Sequence, residues 1–142
     1  MKKLVSTPLM AASLALALGL ATPELHARNT QSINVQFAAG ASSKKVSGSI
    51  KGKNDVVYKL RASAGQTMKV SLKGQRSTVY FNVNPPGGDT ALFVGSSEGE
   101  MFEGKLPADG VYEIVVYQMG AAASGNKLSR FDMNIAVTNA KP

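Results

Sequence analysis

The chain has no cysteine, and its 142 residues include a single histidine. Without cysteine there can be no disulfide framework, no thiolate metal site, no thiol nucleophile and no lipid-modified N-terminal cysteine. The histidine, His26, lies in or beside an N-terminal segment with the pattern of a leader. With no histidine beyond that segment, the domain has no ordinary Ser-His pair and few means of holding zinc or copper. A Ser-Lys dyad would still be possible by composition, but no Ser-x-x-Lys motif stands on a helical segment. Pairs such as Ser43-Lys44 are more simply surface residues. Calcium asks for clustered oxygen ligands. Glu98, Glu100 and Glu103, with Asp89 nearby, match no calcium-loop spacing and fit a solvated acidic loop. The expectation is a protein that is not an enzyme and uses no metal and no cofactor.

Long apolar runs are also scarce. The one present, from Met10 to Leu20, is too short to span a bilayer, which takes about 20 residues. Lys2 and Lys3 precede it, and the small-residue pattern Gly19-Leu20-Ala21 follows. This is the order of a secretory signal peptide, expected over residues 1–21, with an alternative cut after Ala27. A buried N-terminal helix is the competing reading, but Pro8 and Pro23 bracket the run and proline tends to stop a helix. The chain is thus expected to be exported by the Sec route to the periplasm, or secreted beyond it, without stable membrane insertion. What remains has the length of one domain, enough to bury a core without a covalent staple.

Positive charge predominates and is unevenly placed. The whole chain carries +7, which falls to +5 once Lys2 and Lys3 leave with the leader. From Arg28 to Arg76 the only acid is Asp55, whereas acids outnumber bases from Ser77 onward. A basic half can steer an exported protein to an anionic partner such as cell-wall polymer. Lysines on exposed strands also suppress aggregation, which offers a plainer explanation. Single-strand nucleic-acid binders interleave aromatics with their basic stripe. Here Tyr58 falls on the face opposite Lys59 and Arg61, leaving Tyr80 as the one stacking candidate, and no nucleic-acid partner is expected.

Alternation of apolar and polar residues with period two marks the strands. In residues 55–61, Val56, Tyr58 and Leu60 share one face. In residues 67–73, Met68, Val70 and Leu72 do the same. The intervening Ala64-Gly65-Gln66 predicts a hairpin with one apolar face and one basic face made of Lys59, Arg61, Lys69 and Lys73. Further strands are expected over 32–37, 45–50, 78–84, 101–106, 111–117 and 130–138. Turns fall at Asn84-Pro85-Pro86-Gly87-Gly88 and Pro107-Ala108-Asp109-Gly110. The 111–117 strand is apolar on both faces, as if buried on both sides or partly covered by a loop. No helical period stands out beyond the leader. Seven to eight short strands at even spacing predict an all-β fold, an antiparallel β-sandwich over residues 32–138. Tails are expected at 22–31 and 139–142.

Several segments taken in order carry a family resemblance. They are Asn34-Val35-Gln36-Phe37, Ser42-Ser43, Ser47-Gly48-Ser49-Ile50-Lys51-Gly52, Tyr58-Lys59-Leu60-Arg61-Ala62 and Gly65-Gln66. Leu106-Pro107-Ala108, Gly110, Tyr112-Glu113-Ile114, Asn126-Lys127, Phe131 and Asn134-Ile135 complete the series. From about Ile33 to Val137 the chain resembles the periplasmic inhibitors of goose-type (g-type) lysozymes, within the wider group of bacterial pre-peptidase C-terminal-like β-sandwiches. The resemblance implies a sandwich that plugs a lysozyme cleft with its loops. It also exposes departures. Where the family places a tyrosine before the Tyr58 strand, this chain has Asp55. Where it places arginines after the Tyr117 strand, this chain has Gly120 and Ser124. Asn54, Asp55, Gln118, Asn126 and Lys127 are the polar residues left at the matching loops to bind a protein partner. The alternative function is a non-catalytic envelope module for peptidoglycan or another anionic cell-wall partner.

Overall fold

The structure, a computed structural model, describes residues 28–139. The expected leader at 1–21 and the end of the chain after 139 lie outside the described residues. The elements run β1 (Thr30–Asn34), β2 (Ser43–Lys51), β3 (Asp55–Ala62), β4 (Thr67–Gly74), β5 (Val79–Asn84), β6 (Phe93–Val94), α1 (Gly95–Glu98), β7 (Met101–Lys105), β8 (Gly110–Gln118), α2 (Gly120–Ser124) and β9 (Leu128–Thr138). They form two sheets with strand orders β1-β3-β8-β5-β6 and β2-β9-β4-β7.

Each long strand turns its in-step apolar residues to the space between the sheets. In β9, Phe131, Met133, Ile135 and Val137 are buried while Arg130, Asp132 and Asn134 are exposed. In β8 the inward row is Tyr112, Ile114 and Val116, each wholly buried. Burying a side chain of this kind contributes about 1.5–3 kcal/mol, so a one-residue slip of either strand would forfeit the whole set. Phe93 extends the interior by stacking on Phe81, with centroids 4.9 Å apart, and on Phe102 at 5.5 Å. The buried Tyr112 hydroxyl donates to the Ala108 carbonyl (2.7 Å) and accepts from the Ala108 amide (3.2 Å). That pair fastens the proline-containing turn before β8, as a tyrosine corner does.

The two-layer all-β architecture matches the expectation, and five details differ. First, β3 and β4 do not form a hairpin. β3 pairs with β8 and β1, and β4 pairs with β9 and β7. Residues 63–66 carry the chain from one sheet to the other, held where Gly65 donates to the Leu106 carbonyl and Leu106 to that of Gln66. A hairpin and a crossing between layers bury the same alternate residues, so periodicity alone does not separate them. Second, the predicted basic face is therefore divided. Lys59 and Arg61 point out from the five-stranded sheet, and Lys69 and Lys73 from the four-stranded one. Third, β1 runs parallel to β3 and begins at Thr30, inside the expected tail. Fourth, the described residues form nine strands because Phe93–Val94 adds a two-residue strand on β5, and two helices of about one turn follow β6 and β8. Such short elements carry no periodicity to detect. Fifth, β8 is central, yet its outer residues Val115 and Tyr117 are only half-buried and Val111 is exposed. Tyr117 leans on Tyr80, and its hydroxyl donates to Asn82 Oδ1.

Candidate functional site

At one end of the sandwich the chain crosses between sheets through the β2–β3 turn and returns through the β8–α2–β9 connection. The β2–β3 turn closes where the Asn54 amide donates to the Lys51 carbonyl at 3.1 Å. It requires a left-handed residue, and Gly52 supplies it at φ +58°. A Cβ at Gly52 would also lie 2.5 Å from Asn126 Oδ1. The bare glycine is what lets the two connections touch. They are joined directly where the Gly52 amide donates to the Lys127 carbonyl at 3.0 Å.

Beneath that contact lies a buried polar bracket. Gln118 Nε2 donates to the carbonyls of Gly52 (3.0 Å) and Lys127 (2.7 Å), with a longer approach to that of Ala122 (3.5 Å). Its Oε1 accepts from the Ser129 hydroxyl at 2.7 Å. Gln118 and Ser129 are the buried polar residues of the described chain. Each ends an inward-facing row, one in each sheet, so the bracket ties the sheets together as well as the loops. Buried amides and hydroxyls are costly unless bonded, and here each is bonded. α2 sits over the bracket with Ala122 buried, and Ser124 Oγ returns a bond to the Gly120 carbonyl. Gly120 itself has φ +66° at the start of α2.

The chain preceding β1 packs beside this end. Asn29 donates to Asn54 Oδ1 (3.1 Å), and Asp55 donates its amide to the Asn29 carbonyl (3.1 Å). Arg28 reaches the Lys53 carbonyl and lies 3.4 Å from the Asp55 carboxylate. Burial pushes the Asp55 carboxyl above its ordinary range, and the Arg28 charge opposes this only in part.

The five predicted loop residues are thus at the same end, with different standing. Asn126 and Lys127 are exposed, and Asn126 holds φ +53°. Asn54 and Asp55 are half-buried and engaged with the preceding chain. Gln118 faces inward and holds the loops rather than meeting solvent. The sequence reading passed over Ser129, although a serine in the inward register of an otherwise apolar strand is a legible sign of a buried polar contact. It also passed over Met119 and Leu128, exposed by 47% and 51%, which flank the same connection. Lys51, Lys53, Arg76 and Lys127 are exposed at this end, and Asp55, already paired with Arg28, is the carboxylate among them. The outcome is a rigid cationic tip with two exposed apolar side chains and no assembled nucleophile, base or metal ligands among the described residues.

The fold is that of a two-layer β-sandwich carrying a braced, basic loop cluster at one end. No protein-family model matches the chain. An inhibitor of g-type lysozyme from Escherichia coli K12 is 32% identical over 110 residues, which cover 75% of this chain and 81% of that protein. The crystal structure of the Aeromonas hydrophila periplasmic lysozyme inhibitor of g-type lysozyme superposes with a TM-score of 0.72 at 35% identity, over 79% of this chain and all of the other. A pre-peptidase C-terminal domain of a Bacillus anthracis collagenase shares the fold at 13% identity, with a TM-score of 0.50 over 78% of this chain and 96% of that one. The chain belongs to the family of periplasmic inhibitors of g-type lysozyme. That family consists of inhibitor proteins, not enzymes.

Proposed function

We propose that this chain is a periplasmic inhibitor of a g-type lysozyme and that it acts by inserting its braced tip into the lysozyme cleft. The observation that carries the mechanism is the direct joining of residues 51–55 to residues 118–128 across Gly52, Lys127 and Gln118. An inhibitor gains affinity when its contact loops are already ordered, because little conformational entropy remains to be lost on docking. A glycan-cleaving cleft presents carboxylates, and the exposed lysines of the tip complement them. Lys53, Asn126 and Lys127 are the polar contacts assigned here, with Met119 and Leu128 as apolar anchors. Gln118 acts through the loops it holds, and Asn54 and Asp55 support the turn. This assignment leaves the tip functional although Asp55, Gly120 and Ser124 stand where the family places a tyrosine and arginines.

The test is a lytic assay with the chain lacking residues 1–21. Near-stoichiometric loss of g-type lysozyme activity is expected. The double variant K53E/K127E should bind at least tenfold more weakly while keeping its melting temperature. Absence of inhibition by folded protein at large molar excess would overturn the function. Full inhibition by K53E/K127E would overturn the assignment of the tip.

A further inference from the structure

Beyond Lys51 and Leu128, which border the tip, the four-stranded sheet presents an outer face that the inhibitory tip does not use. Its outward positions carry Lys45, Lys51, Lys69, Lys73, Lys105 and Arg130 against two carboxylates, Glu103 and Asp132. Glu103 lies 3.4 Å from Lys69, and Asp132 lies 4.0 Å from Lys45 while also accepting from Ser47. Both acids are thus matched, and among the described residues no carboxylate stands within 4.0 Å of Lys73 or Arg130. Strand register places Ser47, Asp132 and Lys73 in one row and Ser49 beside Arg130 in the next. A depression of about 300 Å³ opens there, lined by Lys73 and Arg130 together with Ser47, Gln75 and the Asp132 carboxylate already engaged by Ser47 and Lys45.

We infer that this face is a second binding surface, for a carboxylate-bearing glycan polymer of the cell wall. Charge complementarity supplies the attraction. The register supplies the fit, since Lys69, Ser71 and Lys73 recur about every 6.8 Å along β4, with Ser47 and Ser49 two strands away on β2. A repeating polymer can match such a lattice. A lipid surface is the weaker match, because membrane-surface binding draws on inserted apolar side chains. Here the exposed large apolar residues are Met101 and Leu128, on different strands and in different rows. The face lies along the side of the sandwich while the tip lies at its end, so an inhibitor held on the polymer would be concentrated where a lysozyme works. The inference goes beyond the inhibitory function and stands without it.

Co-sedimentation with purified peptidoglycan, at low and at raised salt, tests it. Wild type should pellet at low salt and be released by salt. K73E/R130E should bind about tenfold more weakly, the equivalent of two or so surface ion pairs. K59E/R61E makes the same charge change on the other sheet and should bind nearly as wild type does. Lysozyme binding measured by calorimetry should be the same for wild type and K73E/R130E, which separates this surface from the tip. Equal losses in the two double variants would reduce the effect to net charge and overturn the site, as would failure of wild type to pellet. Equally strong, equally K73E/R130E-sensitive binding to phosphatidylglycerol vesicles would overturn the choice of a glycan.

Discussion

Replacing Gln118 by leucine keeps most of the side-chain volume and removes the amide at the centre of the bracket. Two bonds of ordinary length vanish from Nε2 and one from Oε1. The Lys127 carbonyl keeps the bond from the Gly52 amide, but the Gly52 carbonyl and the Ser129 hydroxyl are left without these partners. An unpaired buried group costs about 1–3 kcal/mol, partly offset because leucine needs no desolvation of its own. The expected loss is about 2–4 kcal/mol. For a domain of this size that lowers the melting temperature by roughly 10 °C, readable by circular dichroism. Ser129→Ala should cost less, about 1–2 kcal/mol, since it orphans only Oε1. The pair in combination should cost at least about 1 kcal/mol less than the two single losses together, because both act on the same bond. Inhibition measured well below the transition should weaken for Gln118→Leu even though the protein is folded, because the two connections lose their fixed spacing. A Gln118→Leu melting temperature within error of wild type, or strictly additive single losses, would refute the bracket as the structural origin of the tip.

Two further perturbations probe other parts of the molecule. Tyr58 is 1% exposed, its hydroxyl has no partner among the described residues, and burial pushes its phenol pKa up. Tyr58→Phe should therefore leave the melting temperature unchanged or raise it. Gly48→Ala would set a Cβ 2.7 Å from the Phe131 ring and 2.9 Å from that hydroxyl. It should cost about 1–3 kcal/mol, with part recovered in the double variant with Tyr58→Phe. Asp55 has its folded pKa raised chiefly by burial, so the folded state favours the protonated carboxyl. The stability it contributes is present in full below the ordinary carboxylate range and is lost as pH rises through the folded value. Asp55→Asn should accordingly melt higher than wild type at pH 7, with the difference disappearing in acid. The Arg28 ion pair given up is a partly exposed contact worth little, and a lower melting temperature at pH 7 would contradict this account.

Composition and periodicity were enough to specify the class of fold and the content of the core. Period-two alternation in β3, β4, β5, β8 and β9 named the buried residues, because a strand with one face in the interior leaves no other pattern. Lack of cysteine, and of any histidine after His26, leaves few of the common catalytic and metal chemistries open. Resemblance named the loops, and these do meet at one end of the sandwich. Tertiary structure alone decided how the strands are shared between sheets. Turning the Ala64-Gly65-Gln66 segment into a crossing rather than a hairpin sent Lys59 and Arg61 to one outer face and Lys69 and Lys73 to the other. Strand pairing is a choice among distant partners, and burial patterns are indifferent to it. The same long-range pairing gave Gln118 its role. In sequence it is a polar residue at a strand end. In the fold it continues the inward row of Tyr112, Ile114 and Val116, and only the approach of Gly52, Lys127 and Ser129 from other segments makes it the support of the tip.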